Sequence, residues 1–193
     1  WQRSVDSTNY LLSFNEYRIF YGGIDSDSII ERMTVPNGIM TSVADRMSNE
    51  VACWNTARDF TKPAAVRNLF PYVEPGFEPE DANGFEIPAV TESIRANLQY
   101  LHWHLLGEEL EIDDPEIDRT YALFLEVWRD GKRGIGLGEY QVGLPGDCQA
   151  NTDFWTDQPL SDADRITNDP DYTIRAWMAV MTYLLGDYRF LHE

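Results

Sequence analysis

Asn37-Gly38-Ile39-Met40-Thr41-Ser42-Val43-Ala44-Asp45-Arg46-Met47-Ser48-Asn49-Glu50-Val51-Ala52-Cys53-Trp54 is the stretch that decides the fold. Ile39, Val43, Met47 and Val51 recur every four residues, with Met40, Ala44 and Trp54 beside them. Side chains three or four apart share one face of a helix, so this pattern predicts an amphipathic helix of about 18 residues. Asn37 is a suitable cap, because its side-chain oxygen can accept from backbone N–H groups that the first turn leaves unpaired.

Similar signals lie further along the chain. Pro88 to Gly107 carries Val90, Ile94, Leu98, Leu101 and Leu105 at helical spacing. Asp114-Pro115-Glu116 and Asp169-Pro170-Asp171 each offer an N-cap, a proline at the first helical position and an acid at the positive end of the dipole. The first start leads through Ile117, Tyr121, Phe124, Leu125 and Trp128 to Gly131; the second leads through Ile174, Trp177, Met178, Met181, Leu184 and Leu185. Pro63 opens a shorter helix that ends before Pro71. Toward the N-terminus, Leu11 to Phe20 forms an apolar cluster stopped by Gly22-Gly23, and Ser28 with Glu31 has the spacing of a capping box. The expected fold is mainly α: an irregular bundle of about five to seven helices with long loops. One helical domain over 1–193 is expected, with short helices in 1–36 packing on it.

Two spans lack periodicity. Residues 71–88 hold four prolines and five acids without a base. Residues 132–168 hold five glycines and two prolines, a long irregular loop of a kind that is usually functional or tied down. Cys148 lies in the second and Cys53 on the first helix, and they are the only cysteines. One disulfide or two buried thiols both fit; a bridge would anchor the loop.

The composition sets further limits. The 193 residues are 43% hydrophobic and 13% aromatic, enough for a sizeable core, so global disorder is excluded. A net charge of −18 repels phosphate backbones and argues against nucleic-acid binding. No membrane span is expected, because no run of about 18 apolar residues exists. The chain begins at Trp1, which fits a processed precursor or a piece of a longer chain. Only Lys62 and Lys132 are lysines, and an arginine-dominated set of bases suits fixed ion pairs.

Chemical motifs are sparse. GxSxG, SxxK, HExxH and CxxCH are absent. Gly134, Gly136 and Gly138 make a GxGxG without the strand and helix of a dinucleotide fingerprint, so a flexible loop is expected there. His102 and His104 point to opposite sides of one helix, so they cannot share a metal. Seven acids fall between Glu108 and Asp118, read as a solvated helix junction that can also attract a basic protein partner. Asp25 and Asp27 form a DxD and are the candidate Ca²⁺ ligands, without the EF-hand glycine and glutamate. Trp128 and Trp177 lie on apolar stripes and read as core. Trp155, and secondarily Trp103, are the candidate ligand contacts.

Several segments, taken together, resemble a known class. They are Tyr21-Gly22-Gly23-Ile24-Asp25-Ser26 with Glu31-Arg32, Asn49 to Cys53, Asp59 to Ala64, Leu69-Phe70-Pro71, Leu105 to Glu108, Asp114 to Ile117, and Asp171 to Trp177. The chain resembles the C-terminal region of large exported bacterial proteins that combine c-type haem domains with domains of unknown function. The resemblance implies a periplasmic or extracellular setting and a redox neighbourhood, and supplies no active-site residues. Without CxxCH, the chain itself cannot carry a c-type haem. The expected function is therefore a haem-free accessory or interaction subunit of an extracytoplasmic redox assembly, with a c-type cytochrome subunit as the implied partner. The alternatives are a metal- or carboxylate-dependent enzyme built on Asp25 and the 132–168 loop, or a carbohydrate-binding module using Trp155 or Trp103.

Overall fold

A computed structural model describes residues 22–23, 30–33, 35, 37–153, 156 and 158–192, with side chains as far as Phe190. The described residues contain five α-helices: α1 Gly38–Phe60, α2 Pro88–Leu106, α3 Pro115–Gly136, α4 Thr173–Leu185 and α5 Tyr188–His192. Two 3-10 turns, Ala64–Val66 and Gly146–Cys148, and isolated β-bridges occupy the connections, and no sheet forms among the described residues. The fold is mainly α, an irregular helical bundle with long loops. The short helices expected in 1–36, including the Ser28 box, lie outside the described residues apart from a few positions.

The strongest starts form as their residues dictate. Asn37 Oδ1 accepts from the N–H groups of Ile39 (2.9 Å) and Met40 (3.0 Å) and caps α1. α1 runs to Phe60, further than the Ile39–Val51 spacing indicates, because the small residues Ala52, Thr56 and Ala57 continue its buried face. α2 starts on Pro88 and ends where Gly107 turns left-handed (φ 67°). Asp114 accepts from Glu116 N–H at 2.8 Å, with Pro115 at the first position of α3.

Three boundaries differ from expectation. The helix expected after Pro63 is only the 3-10 turn Ala64–Val66. The following residues are instead wrapped around two side chains, Asp59 and Arg67. α3 does not stop at Gly131 but continues through Gly136, so the irregular segment starts at 137. Gly131 and Gly134 are close-packing sites: a Cβ on them would lie 1.9 Å from the Tyr172 ring and 2.2 Å from the Tyr140 ring. The flexible-loop reading of Gly134 and Gly136 is thereby corrected; of that motif, Gly138 alone adopts a left-handed conformation, beyond the helix end. Finally, α4 starts at Thr173 rather than at Pro170. Asp169 still serves its N-terminus, accepting from Ile174 N–H (3.2 Å) and Arg175 N–H (2.9 Å).

α4 is the central helix and packs most extensively on α1 and then on α3. Its Trp177 is fully buried between Phe70 (ring centroids 5.3 Å apart) and Phe124 (4.8 Å). Trp128 also belongs to this core. The described residues of segment 137–172 are irregular yet well tied. Ala150 and Ile166 exchange backbone hydrogen bonds (2.9 and 3.2 Å), and Leu144 N–H donates to Thr167 at 2.9 Å. Leu144, Cys148 and Ala150 reach into the core, and the sulfurs of Cys148 and Cys53 sit at disulfide distance, 2.06 Å. Among the described residues no helix is long and apolar enough to cross a membrane.

Candidate functional site

On α2, the side facing away from Ile94, Leu98 and Leu101 carries Tyr100, Trp103 and His104, spaced three and four residues apart. Tyr72 joins them from the connection after α1, and its position is set by buried polar groups. The Asp59 carboxylate accepts from the N–H groups of Asn68 (3.0 Å), Leu69 (2.9 Å) and Phe70 (3.1 Å). Arg67 donates to the carbonyls of Lys62 (2.7 Å) and Val73 (2.6 Å) and to Glu74 (2.6 Å). Asn97 of α2 accepts from Tyr72 N–H at 3.2 Å and donates to the Leu69 carbonyl at 3.1 Å. An irregular segment thus becomes a fixed wall, because its backbone groups have specific partners.

The aromatic rings form a connected set. Tyr72 stands edge-on to Tyr100 at 5.9 Å, Tyr100 stacks on His104 at 5.1 Å, and Trp103 lies 6.1 Å from Tyr100. The Tyr100 hydroxyl donates to the Asn68 carbonyl at 3.0 Å, which fixes its ring. Despite these contacts Trp103 remains 54% exposed and Tyr72 53%. The opposite wall is Glu108-Glu109-Leu110-Glu111, held against α2 by Gln99, whose Nε2 donates to the Leu110 carbonyl at 2.7 Å. Between the walls lies an open groove of about 610 Å³. Glu109 and Glu111 are exposed, and neither side chain has an ion pair among the described residues.

Beneath the groove runs a buried polar chain. His102 is 1% exposed; its Nδ1 lies 2.7 Å from Glu108 Oε2 and its Nε2 lies 3.0 Å from Thr120 Oγ1. The other Glu108 oxygen pairs with Arg189 of α5. Thr120 Oγ1 is also 2.9 Å from the Glu116 carbonyl, so its single proton has two destinations. With neutral imidazole, Nδ1–H donates to Glu108 and the Thr120 hydroxyl donates to Nε2. With imidazolium, Nε2–H donates to Thr120, whose proton turns to the Glu116 carbonyl. Burial lowers the His102 pKa below the usual histidine value, and Arg189 adds to this; Glu116, Asp187 and Asp114 oppose it. Nearby, burial and a hydrogen bond to Glu116 (2.8 Å) push the Tyr183 hydroxyl up to about 12. A histidine so enclosed orients Glu108 and is out of reach of a substrate.

A second cavity of about 630 Å³ lies between the 76–87 segment and α3. Its acids are already used: Glu80 pairs with Arg129, Glu78 with Lys132 at 2.7 Å, and Asp81 accepts from the N–H groups of Asn83 (2.8 Å) and Phe85 (3.0 Å). Lys132 also reaches Asp171 at 3.3 Å. These pairs fasten the acidic 71–88 span to α3, so that span is less a free negative surface than its composition indicates.

Of the site residues expected from sequence, Cys53 and Cys148 are brought together. Asp25, Asp27 and Trp155 lie outside the described residues. Among the described residues no three His, Cys, Asp or Glu side chains group as a metal centre. Tyr72, Tyr100 and His104 were not anticipated as site residues. The spacing of Tyr100, Trp103 and His104 on the polar side of α2 is the signal that points to them, whereas Tyr72 arrives only through tertiary contacts. No protein-family model, curated protein or solved structure matches the chain.

Proposed function

We propose that this protein is a haem-free accessory module of an extracytoplasmic redox assembly, and that it meets a protein partner at the groove between α2 and residues 108–111. The observation that carries the interaction role is the ordered pair of exposed large aromatics, Trp103 and Tyr72. Trp and Tyr are enriched among the residues that dominate binding energy at protein interfaces, and here both are in contact with the Tyr100 ring. The cysteine pair supports an oxidising compartment. The redox setting rests on the sequence resemblance alone. Native purification followed by identification of the accompanying chains and of any haem absorbance tests this reading. A stoichiometric partner with a c-type haem spectrum is the expected result; a stable monodisperse monomer with no accompanying chain would overturn it.

A further inference from the structure

The geometry points to an arginine side chain from a basic segment of the partner as the occupant of this groove, its guanidinium held between the Tyr72, Tyr100 and Trp103 rings and the carboxylates of Glu109 and Glu111. The inference rests on the interaction-module reading and gives that partner its chemistry. Aromatic faces carry negative charge density and attract cations, most strongly where a carboxylate stands nearby. The carboxylate side chains of the facing wall, Glu109 and Glu111, supply acceptors. The amide donor of Gln99 is already committed to the Leu110 carbonyl. The Tyr72 hydroxyl and the Trp103 indole N–H can also donate to a ligand, so the choice of a guanidinium rests on the two carboxylates facing the rings: a cation gains from both, a neutral sugar does not. Arginine satisfies both at once, with a planar fork for the carboxylates and a flat face for the rings.

Two features of the chain agree with this occupant. Glu108, which also lines the groove, already takes a guanidinium from the chain's own Arg189. Over longer distances, the charge of −18 favours the approach of a basic partner. In the second cavity Glu80 and Glu78 are paired with Arg129 and Lys132 and Asp81 accepts from its own turn, while Glu109 and Glu111 have no ion pair among the described residues.

The test is fluorescence anisotropy with three labelled peptides at physiological salt: an Arg-Gly repeat, a Lys-Gly repeat and a Gln-Gly repeat. Saturable binding in the order Arg, then Lys, with none for Gln, is expected. Trp103→Ala weakens the Arg peptide about ten-fold, the equivalent of one strong cation–π contact. Glu109→Gln with Glu111→Gln weakens it at least as much. Glu92→Gln with Glu126→Gln makes the same charge change on exposed faces of α2 and α3 outside the groove and alters affinity less than about two-fold, because screening limits distant charges. The inference is overturned by no saturable binding, by indifference to Trp103→Ala, by equal losses in the two double variants, or by a neutral cello-oligosaccharide that competes at Trp103. Failure here is distinguishable from failure of the module reading: a native partner retained by Trp103→Ala and by the Glu109/Glu111 variant leaves the module standing and removes only the groove.

Discussion

His102 and Glu108 join the protein interior to the groove: the Nδ1 of a fully buried ring lies 2.7 Å from a carboxylate oxygen on the groove wall. Because burial holds the imidazole pKa below its unfolded value near 6.5, the folded state resists the proton that the unfolded chain accepts. The unfolded state therefore binds more protons between the folded value and about 6.5, and stability rises with pH across that window. Urea unfolding at several pH values is expected to show stability falling as pH drops below about 6.5, at up to about 1.4 kcal/mol per pH unit. His102→Gln flattens that dependence. An unchanged pH profile in the variant would remove His102 as its source.

Gly131 and Gly136 belong to the same helix and have opposite surroundings. A Cβ on Gly131 would overlap the Tyr172 ring, whereas nothing lies within 4 Å of the same position on Gly136. Tyr172 cannot easily retreat. Its backbone is left-handed (φ 59°), and its ring is stacked on Tyr140 at 5.9 Å and covered by the Arg175 guanidinium at 4.9 Å. Gly131→Ala is expected to cost about 1–3 kcal/mol, as overpacking does, and Gly136→Ala to be neutral or to stabilise by up to about 1 kcal/mol. Thermal melts of the two variants check the contrast.

Cys53 and Cys148 connect α1 to the irregular 137–172 segment. Intact mass after alkylation without reductant is expected to show no label. Replacing both cysteines by alanine is expected to cost about 2–5 kcal/mol. It should also speed amide exchange in 144–150 more than in α4. Two alkylated thiols in the untreated protein would contradict the bond.

Asp59 receives three backbone N–H groups from residues 68–70 and an ion pair from Lys62 at 3.6 Å. Asp59→Ala leaves the buried Phe70 N–H and the part-buried Asn68 and Leu69 N–H groups without their acceptor and is expected to destabilise the fold by about 1–3 kcal/mol. Since the same turn leads to Tyr72, the variant should also weaken Arg-Gly peptide binding under conditions where it remains folded. Unchanged affinity in the folded variant would show that Tyr72 is not placed by this turn.

Helix positions were legible where one residue type carried one meaning. Asn37, Asp114 and Pro115, and the four-residue recurrence from Ile39 to Val51, each match the element that forms. Glycine carried two meanings: Gly107 ends α2, but Gly131 and Gly134 only admit the Tyr172 and Tyr140 rings, and composition does not separate these uses. Asp169 was legible as a cap residue but not in register, because it reaches the helix start across Pro170–Tyr172. The groove was half legible. Trp103 stands out as an aromatic on a polar helix face, whereas Tyr72 depends on Asp59, Arg67 and Asn97 folding an aperiodic segment. The Ca²⁺ ligands expected at Asp25 and Asp27, and the ligand contact at Trp155, fall outside the described residues.

The partner is proposed to contact the groove between α2 and residues 108–111. Hydrogen–deuterium exchange of the natively isolated complex against the free protein tests it most directly. Added protection is expected in 68–74 and 99–111, with 144–168 unchanged. Protection confined to 144–168, with 99–111 exchanging as in the free protein, would contradict it.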